Sequence, residues 1–117
     1  MDVPVNPSKT LRIQEEAMSV KILITRTVPQ ENARDMINLF KKMRSLATEQ
    51  DGYISGETLK SSDRLDVYLV ISTWASANDW EDWLKSKKRQ EIQDRIDALL
   101  GGKTAYEMFH YPGFPCV

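Results

Sequence analysis

The chain contains very little of what metal sites and disulfide frameworks are built from. Its 117 residues include one cysteine, Cys116, and one histidine, His110. A single cysteine excludes an intrachain disulfide, and the absence of a Cys/His cluster predicts that no metal is bound. Cysteine this scarce is typical of proteins in a reducing compartment, so we expect a cytoplasmic protein.

The chain also lacks a long apolar run and a strong net charge. Its longest apolar stretch, VYLVI at 67–71, is far shorter than the ~18 residues that a membrane-spanning helix needs. Residues 1–17 do not contain the apolar stretch of a secretory signal. The net charge of −1 creates no field that would attract nucleic acid or an anionic membrane. We therefore expect neither nucleic acid nor a membrane among its partners.

The residue pattern alternates between strand and helix signals. Runs rich in β-branched and aromatic residues predict strands at 19–27, 53–60, 66–74 and 103–111. After the first strand, Pro29 suits the first turn of a helix, and Gly52 suits the turn that ends it. Apolar residues at steps of three and four predict the buried stripe of this helix: Ala33, Met36, Ile37, Phe40, Met43 and Ala47.

A second helical region follows the third predicted strand. Ser76 and Asp79 have the spacing of a helix N-cap, in which the serine side chain accepts a hydrogen bond from the third backbone amide. The apolar stripe that starts behind this cap lapses within KSKKRQ at 85–90 and resumes at Ile92. We therefore expect two helical pieces with a bend near Ser86.

The order β-α-β-β-α-β predicts the ferredoxin-like α+β fold, a four-stranded antiparallel sheet with its helices on one face. We assign this domain to residues 18–111. Residues 1–17 form an N-terminal extension, in which TLRI at 10–13 is a candidate for pairing at a sheet edge, and residues 112–117 form a tail.

Both faces of the predicted sheet are apolar, although two helices can cover only one of them. In the third strand, Val67, Leu69 and Ile71 alternate with Tyr68 and Val70. A soluble monomer rarely exposes an apolar face of this size, whereas stable complexes typically bury about 800 Å² on each partner. We expect a homodimer in which two sheets pack face to face. A monomer covered by its own N-terminal arm is the alternative.

The three tryptophans of the chain lie within ten positions: Trp74, Trp80 and Trp83. The pattern W-x8-W-L-x-S at 74–86, with DGY at 51–53 and the two-faced strands, resembles the antibiotic biosynthesis monooxygenase family. The resemblance covers residues 19–111. It implies a dimeric α+β barrel with a cavity between the helices and the sheet of each subunit. It also implies an enzyme that oxidises a small aromatic quinol, phenol or polyketide-like substrate with O₂ and no cofactor.

Such chemistry needs an apolar pocket, a group that handles the phenolic proton and donors for the developing oxyanion. Trp80 and Trp83 are the expected pocket wall. Tyr53 or His110 is expected to handle the proton. A purely structural role is the alternative for these residues, because tryptophans at helical spacing also pack onto a sheet and a lone histidine is often structural.

A haem-degrading branch of the same family uses an asparagine on the first strand, a tryptophan on the second helix and a histidine ten residues later. Trp83 matches the tryptophan, but Thr25 and Gln93 stand at the other two positions. Glutamine is a poor ligand for haem iron, so we do not expect haem degradation. Thr25 and Gln93 are expected to line the cavity and orient the substrate as neutral hydrogen-bonding groups.

A second function, of a different class, also fits these residues. The neutral Thr25 and Gln93, and the single candidate histidine, also suit a non-catalytic dimeric module that binds a small molecule or serves assembly. A fold does not determine its function, so the choice between the two depends on the site.

Overall fold

The computed structural model describes residues 19–112. The predicted extension at 1–17, its TLRI segment and Cys116 lie outside the described residues. The main elements, in chain order, are β1 (Val20–Thr27), α1 (Ala33–Ala47), β2 (Tyr53–Lys60), β3 (Val67–Trp74), α2 (Ala77–Lys85), α3 (Lys87–Asp97) and β4 (Ala105–His110). One 3₁₀ turn, Gln30–Asn32, leads into α1.

The four strands form one antiparallel sheet in the order β2-β3-β1-β4. The central strand β1 pairs with β3 on one side and with β4 on the other, so β2 and β4 are the edges. This order and the helices on one face make the ferredoxin-like α+β fold, which confirms the fold predicted from the element order.

The strand register places apolar side chains on both faces of the sheet, as predicted. Ile24 pairs with Val70, and Ile24 is buried beneath the helices. One position earlier in β1, Leu23 pairs with Ile71, and both side chains face away from the helices and are only half-buried. On the same outer face Leu59 is 45% exposed. The outer face of the single chain is therefore apolar and incompletely covered.

The helices bury one stripe each, with one departure from the predicted pattern. In α1 the buried side chains are Met36, Leu39, Phe40 and Ala47, whereas Ile37 is 40% exposed. The prediction for Ile37 was wrong, because the stripe centres on positions 36, 40, 43 and 47, and Leu39 lies nearer to that line. Within residues 19–112, no helix has the length and hydropathy to cross a membrane.

Local side-chain chemistry fixes the ends of the helices where the sequence predicts them. Gly52 follows α1 with φ 82°, and a Cβ there would overlap the Asp79 side chain. Ser76 Oγ accepts a hydrogen bond of 3.1 Å from the Asp79 amide and caps α2. Ser86 ends α2 and caps α3 by accepting 3.2 Å from the Arg89 amide. The predicted bend at Ser86 is therefore a new helix start.

Candidate functional site

A cavity lies between the helices and the sheet, lined by β1, β2 and β3 on one side and by the helices on the other. The total empty volume is about 500 Å³, which includes solvent space at the open mouth. The volume that the centre of a water molecule can occupy is only about 50 Å³. At its exposed part Arg44 Nη2 donates 2.7 Å to Thr58 Oγ1, which links α1 to the edge strand β2. A flat ring can therefore enter only when flexible side chains such as Arg44 move.

Four aromatic side chains form one wall of this cavity. The Trp74 ring lies 5.9 Å from that of Trp80 and 6.2 Å from that of Trp83, between ring centroids. Tyr53 meets Trp74 edge to face at 5.3 Å. Trp74 is fixed from below because its Nε1 donates 2.6 Å to Ser72 Oγ. These contacts hold the rings in defined orientations, as a binding site for a flat molecule requires.

Tyr53 places a polar group on the aromatic wall. Burial raises the pKa of its hydroxyl, and the positive charge of Arg44 acts in the opposite direction. A Cβ added to Gly56 would lie 2.5 Å from the Tyr53 hydroxyl oxygen, so the glycine leaves the space that this hydroxyl needs. With a raised pKa, Tyr53 is protonated at neutral pH and serves as a hydrogen-bond donor.

Two buried arginines line the cavity away from its exposed part. Arg26 comes from β1 and Arg89 from α3, and each is 3% exposed. The Arg26 guanidinium lies 5.2 Å from the centroid of the Phe40 ring. Arg89 lies 5.7 Å from the centroid of Trp80 and 5.3 Å from that of Tyr106. Aromatic faces therefore support both cations, which partly offsets the cost of their burial.

Gln93 connects the two arginines. Its Oε1 accepts 2.8 Å from Arg26 Nη2 and 3.3 Å from Arg89 Nη2. The Tyr106 hydroxyl donates 3.3 Å to the same oxygen and accepts a hydrogen bond from Arg89 Nη2. The Gln93 Nε2 donates 2.7 Å to Asp97, which fixes the amide with its oxygen toward the arginines. Gln93 is therefore a positioning residue behind the cavity.

The hydrogen bonds leave Arg26 incompletely satisfied. Within residues 19–112, its buried Nε has no hydrogen-bond partner, and its Nη2 donates to the neutral oxygen of Gln93. The pKa of Arg26 is lowered to about 10, chiefly by burial; the nearby charge of Arg89 also lowers it, whereas Tyr106 and Asp97 raise it. Arg26 is still protonated at neutral pH. The cavity therefore holds a buried positive charge with unused hydrogen-bonding capacity.

The structure brings together three of the six residues predicted for the site. Tyr53, Trp80 and Trp83 all line the cavity. Gln93 does not line this cavity; it lies behind it, where it contacts the arginines and borders a second hollow with Arg89 and Tyr106.

Thr25 and His110 lie elsewhere. Thr25 is exposed on the outer face of the sheet, opposite Leu69. His110 is exposed at the end of β4 and borders a shallow surface hollow with Lys21 and Phe109. Neither residue lines the cavity between the helices and the sheet.

The sequence reading overlooked Arg26 and Arg89, although the pattern contained a signal for each. Arg26 continues the alternation of Ile22 and Ile24 and must therefore point to the helix side. Arg89 precedes Ile92 by three positions and Ile96 by seven, which places it on the buried stripe of α3. Arg89 lies in the KSKKRQ segment, where the predicted apolar stripe lapses, and no role was predicted for Arg26.

Within residues 19–112, no group of three or more His, Cys, Asp or Glu side chains is arranged to hold a metal ion. Among the described residues, those that line the cavity include no histidine and no carboxylate. The polar side chains that these residues offer to a ligand include the donors of Tyr53, Arg26, Arg44 and Arg89 and the hydroxyls of Ser72 and Thr58.

The sequence matches one family model, described as antibiotic biosynthesis monooxygenase, over residues 19–95. No curated protein matches the chain at a significant level.

Solved structures from several organisms share the fold. A conserved protein from Methanosarcina mazei is 13% identical, with a TM-score of 0.78 over 83% of this chain and 96% of that one. SnoaB, a cofactor-independent oxygenase from Streptomyces nogalater, is 18% identical, with a TM-score of 0.73 over 81% and 94%. A protein of unknown function from Bacteroides thetaiotaomicron is 21% identical, with a TM-score of 0.72 over 81% and 99%. At sequence identities this low, the TM-scores show a common fold and nothing further.

Proposed function

Because the chain belongs to the antibiotic biosynthesis monooxygenase family, we propose that it is a cofactor-independent oxygenase that oxidises a small aromatic substrate with O₂. The substrate is a quinol, a phenol or a polyketide-like ring. The observation that carries this proposal is the aromatic wall of Trp74, Trp80, Trp83 and Tyr53 in a cavity between the helices and the sheet. The likeness in fold to SnoaB, itself a cofactor-independent oxygenase, supports the same class of reaction.

The proposed reaction needs no electron source other than the substrate. Loss of a proton converts an anthrone-type ring to its enolate, which transfers one electron to triplet O₂. The carbon radical and superoxide then combine, and with one proton they form a hydroperoxide at the ring carbon. Loss of water leaves a carbonyl, so CH₂ and O₂ give C=O and H₂O. One oxygen atom enters the product and the other enters water.

The residues of the cavity suit this sequence of steps. Trp80 and Trp83 pack against the faces and edges of the ring and exclude water. Tyr53, protonated because burial raises its pKa, donates a hydrogen bond to the substrate oxygen that gains negative charge. We assign the donor role to Tyr53 alone, because His110 lies outside the cavity. The proton lost on forming the enolate passes to water at the mouth near Arg44, since the lining residues among 19–112 include no carboxylate or imidazole base.

We also propose that the chain is a homodimer that works in the cytoplasm. The outer face of the sheet supports the dimer, because Leu23, Leu69 and Ile71 are apolar and half-buried there, and Leu59 and Phe109 are more exposed. A second copy packed on this face would cover it. The scarcity of cysteine supports the compartment.

Oxygen uptake tests the reaction. Metal-free protein is incubated with a panel of anthrones and hydroquinones in air-saturated buffer, and O₂ consumption is followed with an electrode. We expect consumption well above the rate without protein for at least one substrate, and its loss in Trp83→Ala. A chain that binds these rings without consuming O₂ would contradict the proposal.

One observation favours a second function, a non-catalytic module that binds a small molecule. Within residues 19–112, the residues that line the cavity offer hydrogen-bond donors but no histidine or carboxylate to remove a proton. Binding without turnover across the panel would favour this module. Turnover of any ring would favour the oxygenase. In that case the positive charge of the cavity lowers the pKa of the substrate by stabilising its deprotonated form, so that no basic side chain is needed.

A further inference from the structure

The cavity holds two positive charges whose hydrogen-bond partners are neutral. Among the described residues, Arg26 and Arg89 bond to the amide oxygen of Gln93, and Arg89 also bonds to the hydroxyl of Tyr106. Asp97 is the carboxylate that reaches this group, and it does so from behind, through the Gln93 amide. Two guanidiniums that are each 3% exposed therefore lack a directly bonded counter-ion in the part of the chain that the structure describes.

We propose that Arg26 and Arg89 bind an ionised acidic oxygen of the substrate, so the cavity selects an anionic aromatic molecule over its neutral isostere. The inference rests on the proposed function, because it specifies the class of ring that the same cavity accepts. It adds a binding role for two residues outside the tryptophan wall.

The buried Nε of Arg26 is the strongest sign that a ligand completes this group. It has no hydrogen-bond partner within residues 19–112, although the side chain lines the cavity. A buried donor without an acceptor is costly, and the cost is larger when the donor carries charge. A carboxylate or phenolate in the deep part of the cavity would accept from this Nε–H, and its charge would reduce the repulsion between Arg26 and Arg89.

The position of the arginines favours an acid attached to a flat ring over a small inorganic anion. Arg89 lies against the ring of Trp80, which in turn lies 5.9 Å from Trp74 in the aromatic wall. A ligand that contacts both the wall and the arginines must be apolar along one part and charged at one end. Gln93 and Tyr106 hold the guanidiniums in place, and we regard them as positioning residues.

Three aromatic probes test this selectivity by calorimetry at neutral pH, without turnover: 2-naphthoate, its neutral isostere 2-naphthalenemethanol, and 4-nitrophenol, a smaller ring whose ionised form is coloured. We expect 2-naphthoate to bind about 10- to 100-fold more tightly than the alcohol, as is typical of hydrogen bonds to charged groups. Tight binding of naphthoate identifies a carboxylate site. A lowered pKa of bound 4-nitrophenol with weak naphthoate binding identifies a phenolate site.

Arg26→Met and Arg89→Met should each reduce the preference at least several-fold while affinity for the alcohol stays within about twofold. Arg34→Met is the matched control, because it removes an exposed arginine of α1 that does not line the cavity. If the arginine variants fail to fold, Gln93→Glu gives an independent test, since its carboxylate would pair with both arginines and neutralise one of their two charges at almost unchanged size.

The outcomes separate this inference from the proposed function. Equal affinity of the natural chain for all three probes, or a preference that persists in both arginine variants and in Gln93→Glu, would overturn the anion site. Selective binding without O₂ consumption by any substrate would support the anion site and overturn the oxygenase. O₂ consumption with no preference for anions would support the oxygenase and overturn the anion site.

Discussion

The indole rings of Trp74 and Trp83 lie nearly parallel, with 26° between their planes and 6.2 Å between their centroids. Trp74 comes from β3 and Trp83 from α2, so this pair joins the sheet to the helix layer. Both residues also line the cavity. The clustered tryptophans therefore serve the core and the candidate binding surface at the same time.

Replacement of Trp83 by phenylalanine should weaken both roles. We expect Trp83→Phe to lower the free energy of unfolding by about 1–2 kcal/mol, because a smaller ring leaves part of the core unfilled. Affinity for an aromatic ligand should fall about tenfold, since part of the stacking surface is lost. Urea denaturation and calorimetry measure the two effects.

Ile96→Val is the matched control for Trp83→Phe. Ile96 is fully buried in the other core cluster and does not line the cavity. The Ile96→Val variant should lose about 0.5–1.5 kcal/mol in the free energy of unfolding and keep the ligand affinity of the natural chain. An equal loss of affinity in both variants would mean that Trp83 acts only through stability.

Gly56→Ala should displace the Tyr53 hydroxyl without removing it. The added Cβ would lie 2.5 Å from the hydroxyl oxygen, so the phenol ring must move. We expect kcat to fall about tenfold, toward the value of Tyr53→Phe, because the donor no longer meets the substrate oxygen. Gly102→Ala is the control, since its Cβ would meet nothing within 4 Å. Full activity in Gly56→Ala would exclude a positional role for Tyr53.

Arg26→Met should stabilise the protein in the absence of ligand. The pKa of Arg26 is lowered to about 10 in the folded chain, chiefly by burial and below its ordinary value, so protonated Arg26 disfavours folding at neutral pH. We expect a gain of about 1–2 kcal/mol in the free energy of unfolding, after the loss of the bond to Gln93 and the contact with Phe40 is subtracted. Urea titration at pH 7 measures it.

The pH dependence of this gain has a defined sign. Above about pH 10 the unfolded chain binds more protons at Arg26 than the folded chain, so the stability of the natural protein rises relative to the variant. The advantage of Arg26→Met should therefore be constant up to about pH 9 and shrink above pH 10. A variant that is less stable at pH 7 would show that the contacts of Arg26 outweigh its desolvation.

The local features of this fold were predictable from the sequence, because neighbouring residues determine them. Ser76 caps a helix through an amide three residues away, and Gly52 adopts the positive φ expected of glycine at a helix end. The placement of Thr25 shows the limit of such reasoning. The family resemblance led us to expect Thr25 in the cavity. Neighbouring residues of a strand point to opposite faces of the sheet, so Thr25 faces outward and the next residue, Arg26, faces the cavity.

The arginine pair could not be predicted as a pair. Arg26 and Arg89 are 63 positions apart in the sequence, and only the packing of α3 against β1 brings both to the amide of Gln93. No spacing rule links a strand residue to a helix residue at that separation. The alternation of β1 and the stripe of α3 predict which way each side chain points, but not that the two meet.

The outer face of the sheet gives a separate prediction about assembly. Leu69→Glu introduces a charge at the middle of this face, where Leu69 pairs with Thr25 and Leu59. We expect the natural chain to sediment as a dimer at micromolar concentration and the variant as a monomer, because burial of an unpaired carboxylate opposes association. Leu65→Glu, at a 55% exposed residue in the β2–β3 connection, should remain a dimer. A natural chain that sediments as a monomer would contradict the proposed dimer.

The most direct test of the oxygenase is the fate of isotopically labelled O₂. Metal-free protein is incubated with an anthrone under the labelled gas, and the product is analysed by mass spectrometry. The proposed reaction predicts one labelled atom in each molecule of the new carbonyl product, with the rate strongly reduced in Trp83→Ala and Arg26→Met. Product without label, or a rate equal to that without protein, would contradict it.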